Sequence, residues 1–213
     1  MSVDRDNAPG FLVALEGPDG GGKSTQARML ADHLRSSQPG REVVLTREPG
    51  GTHVGEQLRE IVLDPANTHV ADETEVLLYA TARAQHVAEV IEPALRRGAI
   101  VVTDRFVDSS LAYQGAGRGM AEAVRAINAF ATRGVLPDVT VVLDLTPDEG
   151  LARLTSDQDR LEAQSAHFHA RVREAFLDLA GREPARYAVI DASADMHAVQ
   201  DAVRNVVEKA FQR

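Results

Sequence analysis

The 213-residue chain contains no cysteine, which excludes disulfides, thiol catalysis and cysteine-ligated metals. No apolar run approaches the roughly 20 residues that would cross a bilayer. Met1–Gly10 is polar and lacks the apolar centre of a secretory leader. Positive charge is also short, with 23 lysines and arginines against 32 aspartates and glutamates, a net charge of −9. That field repels a nucleic-acid duplex or an anionic lipid surface, so neither partner is expected. A few clustered arginines can still hold a small anion, because salt screens the global charge beyond roughly 10 Å. These absences predict a cytoplasmic protein. What is present is ordinary for a globular fold, with 44% hydrophobic and 26% charged residues. A chain of this length buries a full core, and one domain over residues 1–213 is the expectation.

Short β-branched runs alternate with longer helical patterns. Phe11–Leu15, Glu42–Thr46, Ala99–Thr103, Val139–Asp144 and Tyr187–Ile190 read as five strands. They lack strict polar alternation, as strands covered on both faces of a parallel sheet do. Between them, Lys23 to about Ser37 and Met196 to Phe211 read as helices. Asp72–Arg97 reads as a long helix bent at Pro93 and stopped by Gly98. Thr146, Pro147 and Glu149 supply an N-cap, a first-turn proline and a capping-box glutamate. The alternation predicts an α/β fold, a five-stranded parallel sheet with helices on both faces.

Gly17, Pro18, Asp19, Gly20, Gly21, Gly22, Lys23 and Ser24 match the G-x-x-x-x-G-K-[ST] pattern, directly after a strand and opening a helix. Glycines let backbone N–H groups turn inward around a phosphate, and the helix N-terminus adds positive partial charge. With Thr25, these residues form the expected ATP-binding set. Lys23 can reach the β- and γ-phosphates, and the Ser24 hydroxyl can ligate Mg²⁺. A Gly-rich turn of this form arises by chance in roughly one chain in a hundred.

Motors and GTPases share this loop, and no Asn-Lys-x-Asp guanine signature occurs in the chain. Asp104-Arg105 ends the third apolar strand, where strand carboxyl ends face the crevice of an open parallel sheet. Asp104 there can hold the magnesium shell, and the Arg105 fork can bridge two phosphates. On spacing alone, an ordinary surface ion pair is the alternative.

The run Val102-Thr-Asp104-Arg105-Phe106-Val-Asp-Ser109-Ser110-Leu-Ala112-Tyr113-Gln114 resembles the signature of the thymidylate kinase family. Thr46-Arg47-Glu48-Pro49-Gly50-Gly51-Thr52 and Leu78-Tyr79-Ala-Thr-Ala-Arg83 are similar to further motifs of the same family. With the phosphate loop they cover residues 11 to about 115 in family order. The resemblance implies a three-layer, P-loop NTPase fold of the nucleoside monophosphate kinase-like type. It also implies ATP and dTMP as substrates, Mg²⁺ as cofactor and a homodimer, for which the apolar helices after residue 72 offer a surface. Tyr79 and Arg83 lie one helical turn apart and share a face. The resemblance assigns Tyr79 to stacking on thymine and Arg83 to a base carbonyl, with Ser110 and Gln114 beside the base. It turns Asp19 towards the acceptor's sugar, sets Tyr113 against the sugar 2′ carbon, brings Arg47 near the dTMP phosphate and leaves Pro49 as packing. A phosphate monoester acceptor is already largely ionised at neutral pH, so positioning and charge neutralisation suffice and no general base is needed. The seven histidines show no ligand grouping, and His167 and His169 read as surface residues of a helix.

Leu154–Glu162 is polar and without periodicity, which predicts a lid over ATP spanning about residues 153–162. The family draws a catalytic arginine from the phosphate loop or from the lid. Gly20 stands where the first type carries arginine, so the chain resembles the lid type. Arg160 is the expected catalytic arginine, with Arg153 in support beside Lys23 and Arg105. Two other readings stay open: the same chemistry on another deoxynucleotide or a deoxynucleoside, and an ATP-gated switch that binds a protein partner.

Overall fold

The structure, a computed structural model, describes residues 9–154 and 159–212. Five strands form one all-parallel sheet: β1 (Phe11–Glu16), β2 (Val43–Arg47), β3 (Ile100–Asp104), β4 (Val139–Asp144) and β5 (Tyr187–Asp191). Their order is β2-β3-β1-β4-β5, so β1 is central, with Val13 paired to Val102 on one side and Val139 on the other. The β-branched runs become strands because they are covered on both faces. One face packs Val13, Leu15, Val102 and Val141 under α1 (Lys23–Ser37) and α9 (Met196–Phe211). On the other face, Leu12, Ala14 and Val101 meet Val87, Ile91 and Ala94. Val142 and Tyr187 meet Phe168, Val172 and Phe176 of α8 (Ala166–Arg182). Three layers result, as the alternation of patterns predicts.

From β1 the chain runs through α1 to β2 and returns to β3 on one side of β1, then crosses to β4 and β5 on the other, so a crevice opens at the carboxyl end of β1. Around that crevice stand α2 (His53–Leu63), α3 (Asp72–His86), the short α5 (Val107–Ser110) and α7 (Pro147–Arg153). A short α4 (Glu92–Arg96), α6 (Ala121–Ala131) and two π-helical stretches, Val87–Ile91 and Leu111–Gly117, complete the helices among the described residues.

The long helix differs from expectation. Asp72 to Arg96 is continuous, but Val87–Ile91 forms a π-helical stretch, with the Glu92 N–H reaching the Val87 carbonyl. Pro93 has no N–H to return to Glu89, so the irregularity falls in the turn before the proline. Gly98 at φ +77 ends the segment as expected. His169 also departs from the surface reading: it is buried, packs edge-on against Phe168 and lies 3.2 Å from the Glu162 carbonyl through Nε2. His167 is exposed.

Candidate active site

Helix α1 begins with a deliberate vacancy. Its N-cap is Gly22 at φ +79, with no side-chain cap and no acidic residue in the first turn. Helices α2, α7, α8 and α9 are each capped by a side chain, from Thr52, Thr146, Ser165 and Asp195. Helices α3 and α6 lack a side-chain cap as well, but α1 opens directly from the glycine loop, and its uncapped amides suit an anion, which the helix dipole also favours. Gly20, at φ +75, sits against the backbone of Gly150 in α7, where an added Cβ would collide. That contact is the physical reason why no arginine stands at this loop position: the α7 backbone occupies the space.

A cavity of about 480 Å³ opens above the loop. Lys23 is buried at its floor, donating from Nζ to the Pro18 carbonyl at 2.7 Å. Burial, then the charge of Arg105, pushes its ammonium down to about 8, against the pull of Asp19, Asp104 and Glu16. Ser24 and Asp104 are hydrogen-bonded to each other at the cavity wall, two hard oxygen groups side by side.

Arg105 takes the left-handed conformation, φ 69, with its N–H donating to the Leu15 carbonyl at 2.9 Å. Such a backbone is costly for an arginine, and here it swings the side chain off the end of β3 into the crevice. The guanidinium donates to the Gly17 carbonyl at 3.2 Å and Ser109 Oγ at 3.0 Å, and is paired with Asp19. Ser109 is held in turn by Glu16, whose carboxylate accepts from Ser109 Oγ at 2.6 Å, Ser109 N at 3.0 Å and Phe106 N at 2.8 Å. Complete burial, then the nearby Asp108, raises Glu16 to about 7.

Asp19 turns away from the phosphate cradle. It accepts from the Tyr113 hydroxyl at 2.7 Å as well as from Arg105. Burial pushes its carboxyl up, but Arg105 and Lys23 outweigh that and hold it below the usual value. Arg105 also lies over the Tyr113 ring, 5.1 Å from its centroid.

The same cavity gathers Tyr79, Ser110, Gln114, Arg47 and Pro49 from three further segments of chain. Arg47 is half-exposed and paired with Glu56 at 2.8 Å. Arg83 does not line the cavity. It is 2% exposed and lies behind Ser110, donating to Ser110 Oγ at 2.8 Å, Glu48 at 2.7 Å and the Phe106 carbonyl at 3.0 Å. Of the two arginines expected in the lid, Arg153 lines the cavity and donates to the Ala192 carbonyl at 2.9 Å. Arg160 faces elsewhere, paired with Glu75 at 2.7 Å and donating to the Val62 carbonyl at 2.9 Å. Residues 155–158 of the expected lid lie outside the described residues.

Sequence reasoning missed several groups. Arg59 lines the cavity, donating to the Pro49 carbonyl at 2.9 Å. Its only signal is its place on a helix just after the Arg47–Pro49 loop. Glu48 joins Arg83 and His86 as a buried acceptor, and Glu75 has no local signature. Among the described residues no group of three or more His, Cys, Asp or Glu is placed to hold a metal. No helix among them is long and apolar enough to cross a membrane.

An uncapped phosphate loop, a lysine at the cavity floor and an arginine fork in the same cavity define a P-loop phosphotransferase. The thymidylate kinase family model matches residues 15–203. A thymidylate kinase from Clavibacter michiganensis subsp. michiganensis is 50% identical over 201 residues, covering 92% of this chain and 93% of its own. One from Lactobacillus delbrueckii subsp. bulgaricus is 46% identical over 207 residues, covering 95% and 97%. The crystal structure of thymidylate kinase from Ehrlichia chaffeensis superposes with a TM-score of 0.77 at 32% identity, covering 93% of this chain and 99% of that one. The chain belongs to the thymidylate kinase family, and is therefore a nucleoside monophosphate kinase whose family reaction passes the γ-phosphoryl group of ATP to dTMP, giving dTDP and ADP.

Proposed function

We propose that the loop half of the cavity holds ATP and the Tyr79–Gln114 half holds dTMP, with Arg105 between them. The observation that carries this reading is Asp19: a carboxylate inside a phosphate loop that is bonded to Tyr113 and Arg105, on the acceptor side. ATP lies over Gly17–Thr25, its phosphates met by the free α1 amides and Lys23. The base of dTMP stacks on Tyr79 beside Ser110 and Gln114, with Arg83 acting through Ser110. Its sugar meets Asp19 and Tyr113. Its phosphate meets Arg47 and Arg59, beside Pro49.

An oxygen of the dTMP phosphate attacks the γ-phosphorus as the bond to the β,γ-bridging oxygen breaks, and ADP departs. The attacking oxygen is already anionic, so no side chain need remove a proton. Lys23, Arg105 and Arg153 neutralise charge spread over the transferred group. The adjacent Ser24 hydroxyl and Asp104 carboxylate are hard oxygen donors that suit Mg²⁺. Ser24 and Asp104 would hold the ion there, and its charge would help to neutralise the phosphates of ATP. Arg160, held by Glu75, braces the end of the lid in this conformation. We further read the enzyme as a cytoplasmic homodimer, with α3 and α6, which leave Leu77 and Phe130 exposed, as the shared surface.

A coupled ADP-release assay across dTMP, dCMP, dGMP and dAMP tests the reading. Turnover stimulated most by dTMP is expected, and equal or stronger stimulation by another of the four would refute the acceptor assignment.

A further inference from the structure

Glu75 is completely buried, yet it takes four polar contacts from three residues in two segments of chain. Its Oε1 accepts from Gln114 Nε2 at 2.9 Å and from Arg118 Nε at 3.4 Å. Its Oε2 accepts from Arg118 Nη2 at 3.0 Å and pairs with Arg160 Nη1 at 2.7 Å. The two guanidiniums line a second cavity and not the first, so they approach Glu75 from behind. Burial alone pushes Glu75 up, but the Arg118 and Gln114 hydrogen bonds, with Arg118 and Arg160 nearby, outweigh it and hold the carboxyl below its usual value.

An ionised carboxylate only accepts hydrogen bonds. A glutamine amide presents two ends of nearly the same shape, and only its partner decides which way it points. Facing Glu75, Gln114 must therefore offer its NH₂ group. That leaves the Gln114 carbonyl oxygen as the group available to the cavity, which Gln114 lines together with Tyr79 and Ser110. Glu75 also stands four residues before Tyr79 on α3, so one helix face carries both the residue that orients the amide and the aromatic platform.

An acceptor fixed at that point favours a base edge that donates. Thymine carries an N3–H, whereas cytosine carries a bare N3 lone pair that repels a carbonyl oxygen. A site built around one hydrogen bond rejects an analogue that cannot make it more strongly than shape alone would. We propose that Glu75, without touching substrate, is a specificity-determining positioning residue: it locks the Gln114 amide with its oxygen towards the base and so selects N3–H pyrimidines over cytosine. The proposal rests on the reading of this half of the cavity as the dTMP base site.

The test is the ratio of kcat/KM for dTMP over dCMP, measured in the wild type, in Glu75→Gln and in the exchanged pair Glu75→Gln with Gln114→Glu. In Glu75→Gln the new amide can donate or accept, so Gln114 is free to turn. The ratio should fall about tenfold or more, chiefly through a higher KM for dTMP and a lower KM for dCMP. The exchange keeps one carboxylate and one amide beside Arg118 and Arg160. It restores an oxygen towards the base, and the ratio should recover at least half of the loss on a logarithmic scale. A folded Glu75→Gln enzyme with an unchanged ratio overturns the proposal. If that variant fails to fold, the exchanged pair decides alone: preference for dTMP supports the proposal and its absence overturns it. A wild type that does not prefer dTMP to dCMP overturns the base-site reading itself.

Discussion

Asp19 sits in a loop built for phosphate and is nevertheless paired with Arg105 and hydrogen-bonded by Tyr113. On the proposed reading, Tyr113 has two separable duties, a ring against the sugar and a hydroxyl on Asp19. Tyr113→Ala removes both, and discrimination between dUMP and UMP should weaken, read as the ratio of their kcat/KM values. Tyr113→Phe keeps the ring; it should preserve that ratio while kcat/KM for dTMP drops roughly tenfold or more, the scale of a lost hydrogen bond to a charged group. Lys23 offers a second residue-level outcome. Its ammonium is pushed down to about 8 in the free enzyme, whereas bound triphosphate favours the charged form. ATP binding should then require proton uptake above that value, and ATP affinity measured by calorimetry should decline as pH rises through about 8. Residues of this kind were legible where chemistry is written locally: Gly17–Ser24 and Asp104-Arg105 announce themselves. Arg59 did not, because a lone arginine on a helix has the same sequence appearance whether it faces solvent or a phosphate.

At the scale of the element, the decisive contact is between the phosphate loop and α7. Gly20 and Gly150 meet backbone to backbone, and a side chain on either would push the two apart. Helix α7, fixed by the Thr146–Glu149 capping box, ends on Arg153 at the cavity wall. Arg153→Ala should lower kcat by roughly a hundredfold, about 3 kcal/mol of transition-state stabilisation, with a smaller change in KM. Arg160→Ala should act differently, raising the KM for dTMP by freeing one side of Glu75, while kcat falls less than in Arg153→Ala. Steady-state kinetics on both variants, with the reverse ordering of kcat losses, would return the catalytic charge to Arg160. The start of α7 and the stop at Gly98 were readable because capping and left-handed glycine obey local rules. The π-helical stretch before Pro93 was not, since a missing N–H states that a bond is lost but leaves open which turn absorbs it.

For the whole molecule, Glu16 links the site to stability. It sits at the end of the central strand and holds the segment that carries Arg105. The folded protein releases this proton near 7, against an ordinary value of 4.5. Between those values the folded state binds the extra proton, so this contribution is fully present below about 4.5 and is lost as pH rises through about 7. Its span is at most about 3 kcal/mol. Denaturant unfolding between pH 5 and 8 should show wild-type stability falling relative to Glu16→Gln, and parallel curves would remove Glu16 as the source.

The sequence by itself determined the sheet of five strands, the phosphate loop and the family, because strand burial, glycine conformation and helix capping act within a few residues of the chain. Only the tertiary structure decided which arginines share a cavity, why residue 20 must stay bare and what holds Gln114. Those depend on groups far apart in the chain, with Gln114 39 residues from Glu75 and Arg160 98 residues from Val62. Such pairs meet only when whole helices are packed in register on the sheet, and no local pattern encodes that register.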